Sequence, residues 1–490
     1  MTTRFAPVAA LFHTDAYKLG HIQQYQLAGR PTRVYSNWTN RKARMAGIES
    51  VVHFGLQAHI QQFLMDAFQP FFEASTDEVC ALYEERLDMI LGPNTIGSDH
   101  IRQLHQLGYL PLRFSAVPEG TLVPIRVPSF TVENTHPDFF WLTNYVETGL
   151  SAGVWQASTS ATIAHEYRKV LDDAAARTGG AEAAVDWQCH DFSMRGMSSI
   201  ETAAASGAAH LLSFNGTDSL PALEWIDRFY GGEYIAGSVP ATEHSVMCTG
   251  IATIGEQATF EKLLDLYPSG IVSVVSDTFD LWRVLTEYLP ALKDKIMARN
   301  GKLVIRPDSG DPEKILCGDP EAEYGSPAWF GVVRLLAIEF DGKINREGFF
   351  ELDSHVGVIY GDSITIERAK SITARLEMLG FASTNVVFGV GSFTYQHNTR
   401  DTFGSAMKAT WAEVDGKGVN LLKDPVTDDG TKKSATGRLA VIPNDATGEL
   451  LLAQKATPEE EALSVLQPVW ENGAFIRRQS FADVRKVLNG

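Results

Sequence analysis

The amino-acid sequence predicts an α/β protein: a β/α barrel with an additional β-rich domain built from both chain ends. Three features carry that reading. Short apolar runs recur through the middle of the chain, and each stops at a polar or Gly-containing turn. Helix-length segments separate most of these runs, and alternating strand and helix means parallel β/α units. The two ends have a different texture, with β-formers punctuated by Pro and Gly.

From about residue 108 to 132, the segment containing YLPLRFSAVPEG alternates β-formers with Pro and Gly, which signals short antiparallel strands. From Phe139 to about Ala176 the pattern is helical and ends at Gly179-Gly180. The apolar runs follow: DWQCHDF (186–192), YIAGSVP (234–240), GIVSVVSD (270–277), KLVIRPD (302–308), HVGVIYGD (355–362) and NVVFGVGS (385–392). Segments such as DTFDLWRVLTEYLPALKDKIMARN between them have helix length. With this many units a barrel is favoured over an open sheet, and its active site would lie on the loops after the strands. Near the C-terminus the chain turns β-like again, in GRLAVIP and GELLLAQ. The expected domains are therefore 151–399 for the barrel, and 1–150 with 400–490 for the β-rich part.

Composition narrows the function. The 490 residues are 44% apolar and 21% charged, ordinary for a soluble globular protein. No apolar run reaches the ~18 residues of a membrane span, and the apolar part of MTTRFAPVAALFHTD is too short for a signal peptide. Cys80, Cys189, Cys248 and Cys317 form no CxxC pair, so they read as reduced thiols of a cytoplasmic protein. A formal net charge of −18 argues against nucleic-acid binding, which needs a basic face. An anionic substrate would need a local basic pocket within that repelling field.

The strand ends collect the residues able to do chemistry. GKLVIRPDSGDP (301–312) is an apolar strand that runs into Arg306, Pro307, Asp308, Gly310 and Asp311. A plain turn uses the Pro, Asp and Gly but has no need of the Arg. Other strand ends hold His190, Asp191, Phe192 and Arg195; Glu243 and His244; Asp277; Gly361 and Asp362; and Gly389 and Gly391. In a barrel these converge on one mouth.

Each member also has a plainer reading. Ser198 and Glu201 have capping-box spacing, so a helix begins near Ser199. Phe192 and Arg195 precede it, either as a buried Phe and a surface Arg or as a flat aromatic and an orienting cation for a planar ring. Asp218, or Ser219 beside it, taken alone is a helix N-cap ahead of Pro221. His244 is either structural or, beside Glu243 and sharing the mouth with Asp277, an oriented acid, base or nucleophile. In IRPDSGDP, YGDSI and FGVGS, glycines let backbone N–H groups approach an anion, and carboxylates can hold ribose hydroxyls or Mg²⁺; ordinary βα turns have the same composition. Arg41, Arg44, Arg400, Lys408 and Lys423 are either solvated surface charge or partners of a phosphate-rich ligand. The P-loop pattern, HExxH and GxSxG are absent.

The motifs HTDAYKLGHIQQY, VPEGTLVP, VENTHPDFFWLTNYVET, HDFSMRGMSSIETA, FNGTD, GSVPATEHS, VSVVSDTFD, IRPDSGDP, YGDSI, TRDTF and LLKDPV occur in this order. Through them the chain resembles the nicotinamide phosphoribosyltransferases over nearly its whole length. The resemblance implies a type II phosphoribosyltransferase-like barrel and a homodimer with active sites at the subunit interface. It implies a glycosyltransferase of NAD salvage that joins nicotinamide to 5-phosphoribosyl 1-pyrophosphate, giving nicotinamide mononucleotide and pyrophosphate, with Mg²⁺. Phe192 and the partner subunit's Tyr17 would sandwich the pyridine ring, and Arg195 and Asp218 would address its amide. Arg306, Asp308, Gly361, Asp362 and Gly391 would hold the ribose and 5-phosphate. Arg41, Arg400, Lys408 and Lys423 would meet phosphates, partly across the dimer. The expected catalytic residues are His244, Asp277 and Asp308. His244 resembles the family's phosphorylated histidine, through which ATP, as co-substrate, is coupled to product formation, and Asp277 would position it. The chain departs from animal members at Ser193-Met194, where they have Gly-Tyr, and at Ser392-Phe393, where they have a longer glycine run. Two rivals remain: a nicotinate phosphoribosyltransferase of the same architecture, which Asp218 disfavours, and a non-enzymatic binding protein on this fold.

Overall fold

The computed structural model describes residues 4–361, 363–427 and 430–490, so Asp362 lies outside the described residues. The chain forms two compact units. One comprises Met1–Thr159, Ile226–Glu233 and Asn398–Gly490, the other Ser160–Trp225 and Tyr234–His397.

In the second unit the apolar runs form parallel strands. Gly216–Thr217, Cys189–Asp191, Val386–Val390, Val356–Tyr360, Asn300–Arg306 and Ser269–Val275 lie side by side in that order, each pair parallel. Val272, Val274, Leu303, Ile305, Val358, Phe388 and Val390 are buried, as strands covered on both faces require. One segment links the two edges. Gly237 bridges Gly216, and Ala241 bridges Ser273. The Gly237 amide donates to the Asn215 carbonyl at 2.8 Å and the Thr242 amide to the Ser273 carbonyl at 2.9 Å. This segment closes the barrel. YIAGSVP, expected as a strand, supplies isolated bridges instead, because Pro240 has no N–H to give a ladder.

Two helix boundaries differ from expectation. The helix from the Phe139 region runs continuously only from Glu147 to Thr178, and Gly179, at φ 74, stops it. The helix after Arg195 is Ile200–His210, and its capping box pairs Ser199 with Thr202, not Ser198 with Glu201. The Thr202 amide donates to Ser199 Oγ at 3.2 Å, and the Ser199 amide donates to Thr202 Oγ1 at 3.0 Å. The Ser198 amide is already given to Gln396 Oε1. After Asp277 the helical segment breaks into Leu281–Arg283, Val284–Tyr288, Leu289–Ala291 and Lys293–Met297, with Pro290 removing one amide donor.

The first unit is built on a seven-stranded sheet in the order Lys417–Asn420, Ser405–Val414, Pro31–Asn40, Pro128–Asn134, Leu112–Ala116, Gln467–Glu471 and Ala474–Phe475. All neighbours are antiparallel. Trp38 stands opposite Phe130 in the register, and their rings stack at 5.7 Å within a core that includes Phe114 and Trp470. The piece Ile226–Glu233 is tied into this unit by a buried carboxylate. Glu119 accepts hydrogen bonds from the Gly55 and Gln57 amides and from the Tyr230 hydroxyl. Burial pushes the Glu119 pKa up, and those donors oppose the shift.

Candidate active site

At the C-terminal ends of the barrel strands lies a cavity of ≈220 Å³. Phe192, Arg195, Arg306, Asp308, Gly361 and Gly391 are on its wall, together with Ser392 and Phe393. Glycine is required here by crowding. A Cβ on Gly389 would lie 2.7 Å from both Gly361 Cα and Phe192 Cδ2, and one on Gly361 would lie 3.2 Å from Asp308 Oδ1. At Gly391 a Cβ would meet nothing within 4 Å, so its bare backbone borders open space. A Cβ on Gly196 would lie 2.1 Å from Ser392 Oγ. The two places where the chain departs from animal members therefore belong to loops that pack on each other.

Asp218 and Phe192 sit on adjacent strand ends. His190, which sequence reasoning left without a role, packs its ring 4.6 Å from that of Phe192, and its Nε2 lies 2.9 Å from Asp218 Oδ1. The Ser238 hydroxyl, from the barrel-closing segment, also donates to Asp218 Oδ1. Burial would raise the Asp218 pKa, but the His190 and Ser238 hydrogen bonds and the nearby Arg306 charge leave it below its usual value. Its carboxylate receives no helix amide among the described residues, so the helix Leu220–Phe229 does not use it as a side-chain cap. Behind this pair lies Asp191, fully buried. It accepts from the Ser193 amide at 2.9 Å and from Thr217 Oγ1 at 3.2 Å, while its carbonyl accepts the Asp218 amide at 3.0 Å. One residue thus holds the loops that carry Phe192 and Asp218.

Arg306 ends its strand with the guanidinium half engaged. Nη2 donates to the Thr242 carbonyl at 2.8 Å, and Nε is buried without a hydrogen-bond partner among the described residues. Burial pulls its pKa down against the Asp308 and Asp218 carboxylates. Asp277, 7% exposed, joins two loops. Its Oδ2 accepts from the Asp308 amide at 2.9 Å and from the Ser309 hydroxyl at 2.6 Å. Its Oδ1 faces His244 Nε2 at 3.5 Å and has no hydrogen-bond partner among the described residues. His244 is half-exposed at the start of the helix His244–Ile254, and the neighbouring Glu243 carboxylate accepts from the Ser245 hydroxyl. Ser238, Thr242 and Ser309 carry no signal in a lone sequence; only their hydrogen bonds bring them into the site.

The first unit has its own cavity, of ≈380 Å³, with Arg41, Arg126, Lys408 and Lys433 on its wall. Arg41 Nε donates to the Gly404 carbonyl at 3.0 Å. Lys408 Nζ donates to the Met407 carbonyl at 2.7 Å and stands 3.9 Å from Glu147. Burial lowers the Lys408 pKa; Glu147 opposes this, while the charges of Arg41, Lys423 and Arg400 lower it further. Lys423 and Arg400 lie near enough to act on Lys408 but do not line the cavity, and Arg400 stands 3.6 Å from Asp401. Tyr17 lines neither cavity. It is 64% exposed on the turn Ala16–Gly20 of the same unit. Among the described residues no group of three or more His, Cys, Asp or Glu side chains could hold a metal ion, and no helix is long and apolar enough to cross a membrane.

Comparison with known proteins gives this geometry its context. The model of the nicotinate phosphoribosyltransferase (NAPRTase) family matches residues 187–474. A curated nicotinamide phosphoribosyltransferase of Acinetobacter baylyi (strain ATCC 33305 / BD413 / ADP1) is 47% identical over 502 residues, covering 100% of this chain and 98% of that protein. One from Xanthomonas campestris pv. campestris (strain 8004) is 34% identical over 485 residues, covering 97% of each. Among solved structures, the human nicotinic acid phosphoribosyltransferase has a TM-score of 0.56 at 16% identity, covering 97% of this chain and 93% of that one. The nicotinate-nucleotide pyrophosphorylase from Pyrococcus furiosus has the same TM-score and identity, covering 100% and 96%. These two share the fold. With identity running the full length and the family match spanning the barrel, the chain belongs to the nicotinate phosphoribosyltransferase family and, within it, to the nicotinamide phosphoribosyltransferases.

Proposed function

We propose that this phosphoribosyltransferase of NAD salvage joins nicotinamide to 5-phosphoribosyl 1-pyrophosphate, releasing nicotinamide mononucleotide and pyrophosphate. The observation that supports nicotinamide over nicotinate is Asp218. Among the described residues both of its side-chain hydrogen bonds fall on Oδ1, which leaves Oδ2 to accept an amide N–H. A nicotinate carboxylate in that place would meet a like charge. Phe192 offers a flat face to the pyridine, and Arg195 offers a donor to the amide oxygen. Arg306 lines the cavity and offers its guanidinium charge to the 5-phosphate, and Asp308 can accept from a ribose hydroxyl.

The bond from the ribose C1 to pyrophosphate breaks with its electron pair leaving on oxygen. The pyridine nitrogen forms the new bond and carries the positive charge. The Asp308 and Asp218 carboxylates favour the cationic ribose, and cations favour the leaving group. A Mg²⁺ ion, when bound, would neutralise phosphate charge; among the described residues no group of three or more His, Cys, Asp or Glu side chains could hold it, and Asp308 is a carboxylate that would take part.

In the same proposal, His244 takes the γ-phosphoryl group of ATP; the bond to the bridging oxygen breaks as ADP leaves with that electron pair, and water later releases the group as phosphate. With Nε2 turned to Asp277, Nδ1 is the nitrogen left to attack, and Asp277 stabilises the charged ring. The active form is a homodimer in which the partner's Tyr17 covers the pyridine. Mixing Tyr17→Ala chains with His244→Ala chains should restore activity at one of the two hybrid sites; proven heterodimers without recovery would overturn shared sites. The overall reading is tested by mass spectrometry of products made from each pyridine. Nicotinamide mononucleotide is expected. Equal formation of nicotinic acid mononucleotide would overturn the role of Asp218, and no pyrophosphate release with either pyridine would leave a binding protein.

A further inference from the structure

The cavity of the β-rich unit contains two cations that no motif of the sequence singles out, Arg126 and Lys433. Arg126 sits between the strands Leu122–Pro124 and Pro128–Asn134 with φ 74. That left-handed backbone is unfavourable for a residue with a Cβ and natural for Gly. The conformation is held in place: the Arg126 amide donates to the Asn40 carbonyl at 2.7 Å, immediately before Arg41. The side chain is exposed on the wall shared with Arg41, Lys408 and Lys433. Lys433 has Asp424 at 2.9 Å and Lys408 has Glu147 at 3.9 Å. Among the described residues the Arg126 guanidinium has no hydrogen bond and no ion pair. A strained backbone thus presents an uncompensated cation to a cavity whose Lys408 is depressed by burial and, further, by neighbouring positive charge.

We infer that Arg126 is a further anion-binding residue of this cavity and that the ligand class is a phosphate chain, a pyrophosphate group or a triphosphate tail. The inference rests on the proposed function, with Arg41 and Lys408 taken, as the family resemblance implies, to be among the cations that meet its phosphates. The cations come from separate chain segments around ≈380 Å³. A single phosphate is small for that space, whereas a phosphate chain can engage several of them at once.

The test uses the full chain and calorimetric titration with inorganic pyrophosphate, with inorganic phosphate as comparison. Arg126→Gly and Arg126→Asn both tolerate a left-handed backbone and both remove the charge. Each should weaken pyrophosphate binding by about tenfold, Arg126→Lys by less, and inorganic phosphate binding should change little. The Arg126→Gly melting temperature should stay level or rise, which separates lost contact from lost fold. If Arg126→Gly and Arg126→Asn bind pyrophosphate as wild type does while Arg41→Ala is weakened, the inference falls and the phosphate reading of the cavity stands. If Arg41→Ala and Lys408→Ala also bind as wild type does, or wild type does not bind, that reading falls and takes the inference with it.

Discussion

Asp218 answers two opposing forces. Desolvation favours its neutral form, and the His190 and Ser238 donors and the Arg306 charge favour the anion more strongly. Because its folded pKa lies below the usual value, its contribution to stability is present above the unfolded pKa near 3.9 and is lost as pH falls through the lower folded value. At neutral pH it is therefore an acceptor only. A charge-assisted bond from the substrate amide is worth about 1.5–3 kcal/mol, toward the lower end here because the side chain is 42% exposed. Asp218→Asn should lower the ratio of kcat/KM for nicotinamide over nicotinate by about tenfold or more, with folding intact. His244 carries a second prediction at this scale. Labelled ATP should leave label on the protein that acid removes and base does not, and His244→Ala should take up none; equal labelling of that variant would place the phosphoryl group elsewhere.

Strand ends decide geometry at the next scale. The strand Val386–Val390 brings Gly389 against Phe192 and Gly361, and backbone on one side leaves no room to yield. Gly389→Ala should push the Phe192 ring out of place, raise KM for nicotinamide about tenfold and cost roughly 1–3 kcal/mol in denaturant melts. An unchanged KM in a folded variant would mean that Phe192 does not stack on the substrate. The strand runs were legible because an apolar run ending at Gly or Asp is a local signal. The closing segment was legible only as an apolar run, because Pro240 has no N–H for a ladder and the segment meets its two neighbours in the chain at Gly237 and Ala241 alone. The Ser199 box escaped for a smaller reason: Ser198–Glu201 and Ser199–Thr202 have the same spacing, and only the commitment of the Ser198 amide to Gln396 separates them.

Over the molecule, buried histidines set an acid limit. Burial pushes His53 and His59 down to about 3 and His100 down to about 4. Unfolded histidines take up protons below about 6.5, so the unfolded state binds more protons than the folded one and stability falls as pH drops from there. By pH ~4.5 each of these groups should remove roughly 2–3 kcal/mol, since a full pH unit is ~1.36 kcal/mol. Urea melts between pH 8 and 4.5 should decline steeply below 6.5, and His59→Gln should flatten the slope. A level profile would mean that these rings are protonated in the folded protein.

The sequence by itself determined the alternation of strand and helix, the strand ends that bear Phe192, Arg195, His244, Asp277, Arg306 and Asp308, and the acidic background against which a basic cavity stands out. These follow from periodicity and residue chemistry within short windows. The tertiary structure alone decided that His190 and Ser238 converge on Asp218, that Asp191 ties two loops together, and that Arg126 faces a cavity beside Arg41 and Lys408. Each of those depends on which oxygen accepts which donor, or on the sign of one φ. Such contacts arise only when strands distant in the chain are hydrogen-bonded side by side, and no local pattern of residues encodes them.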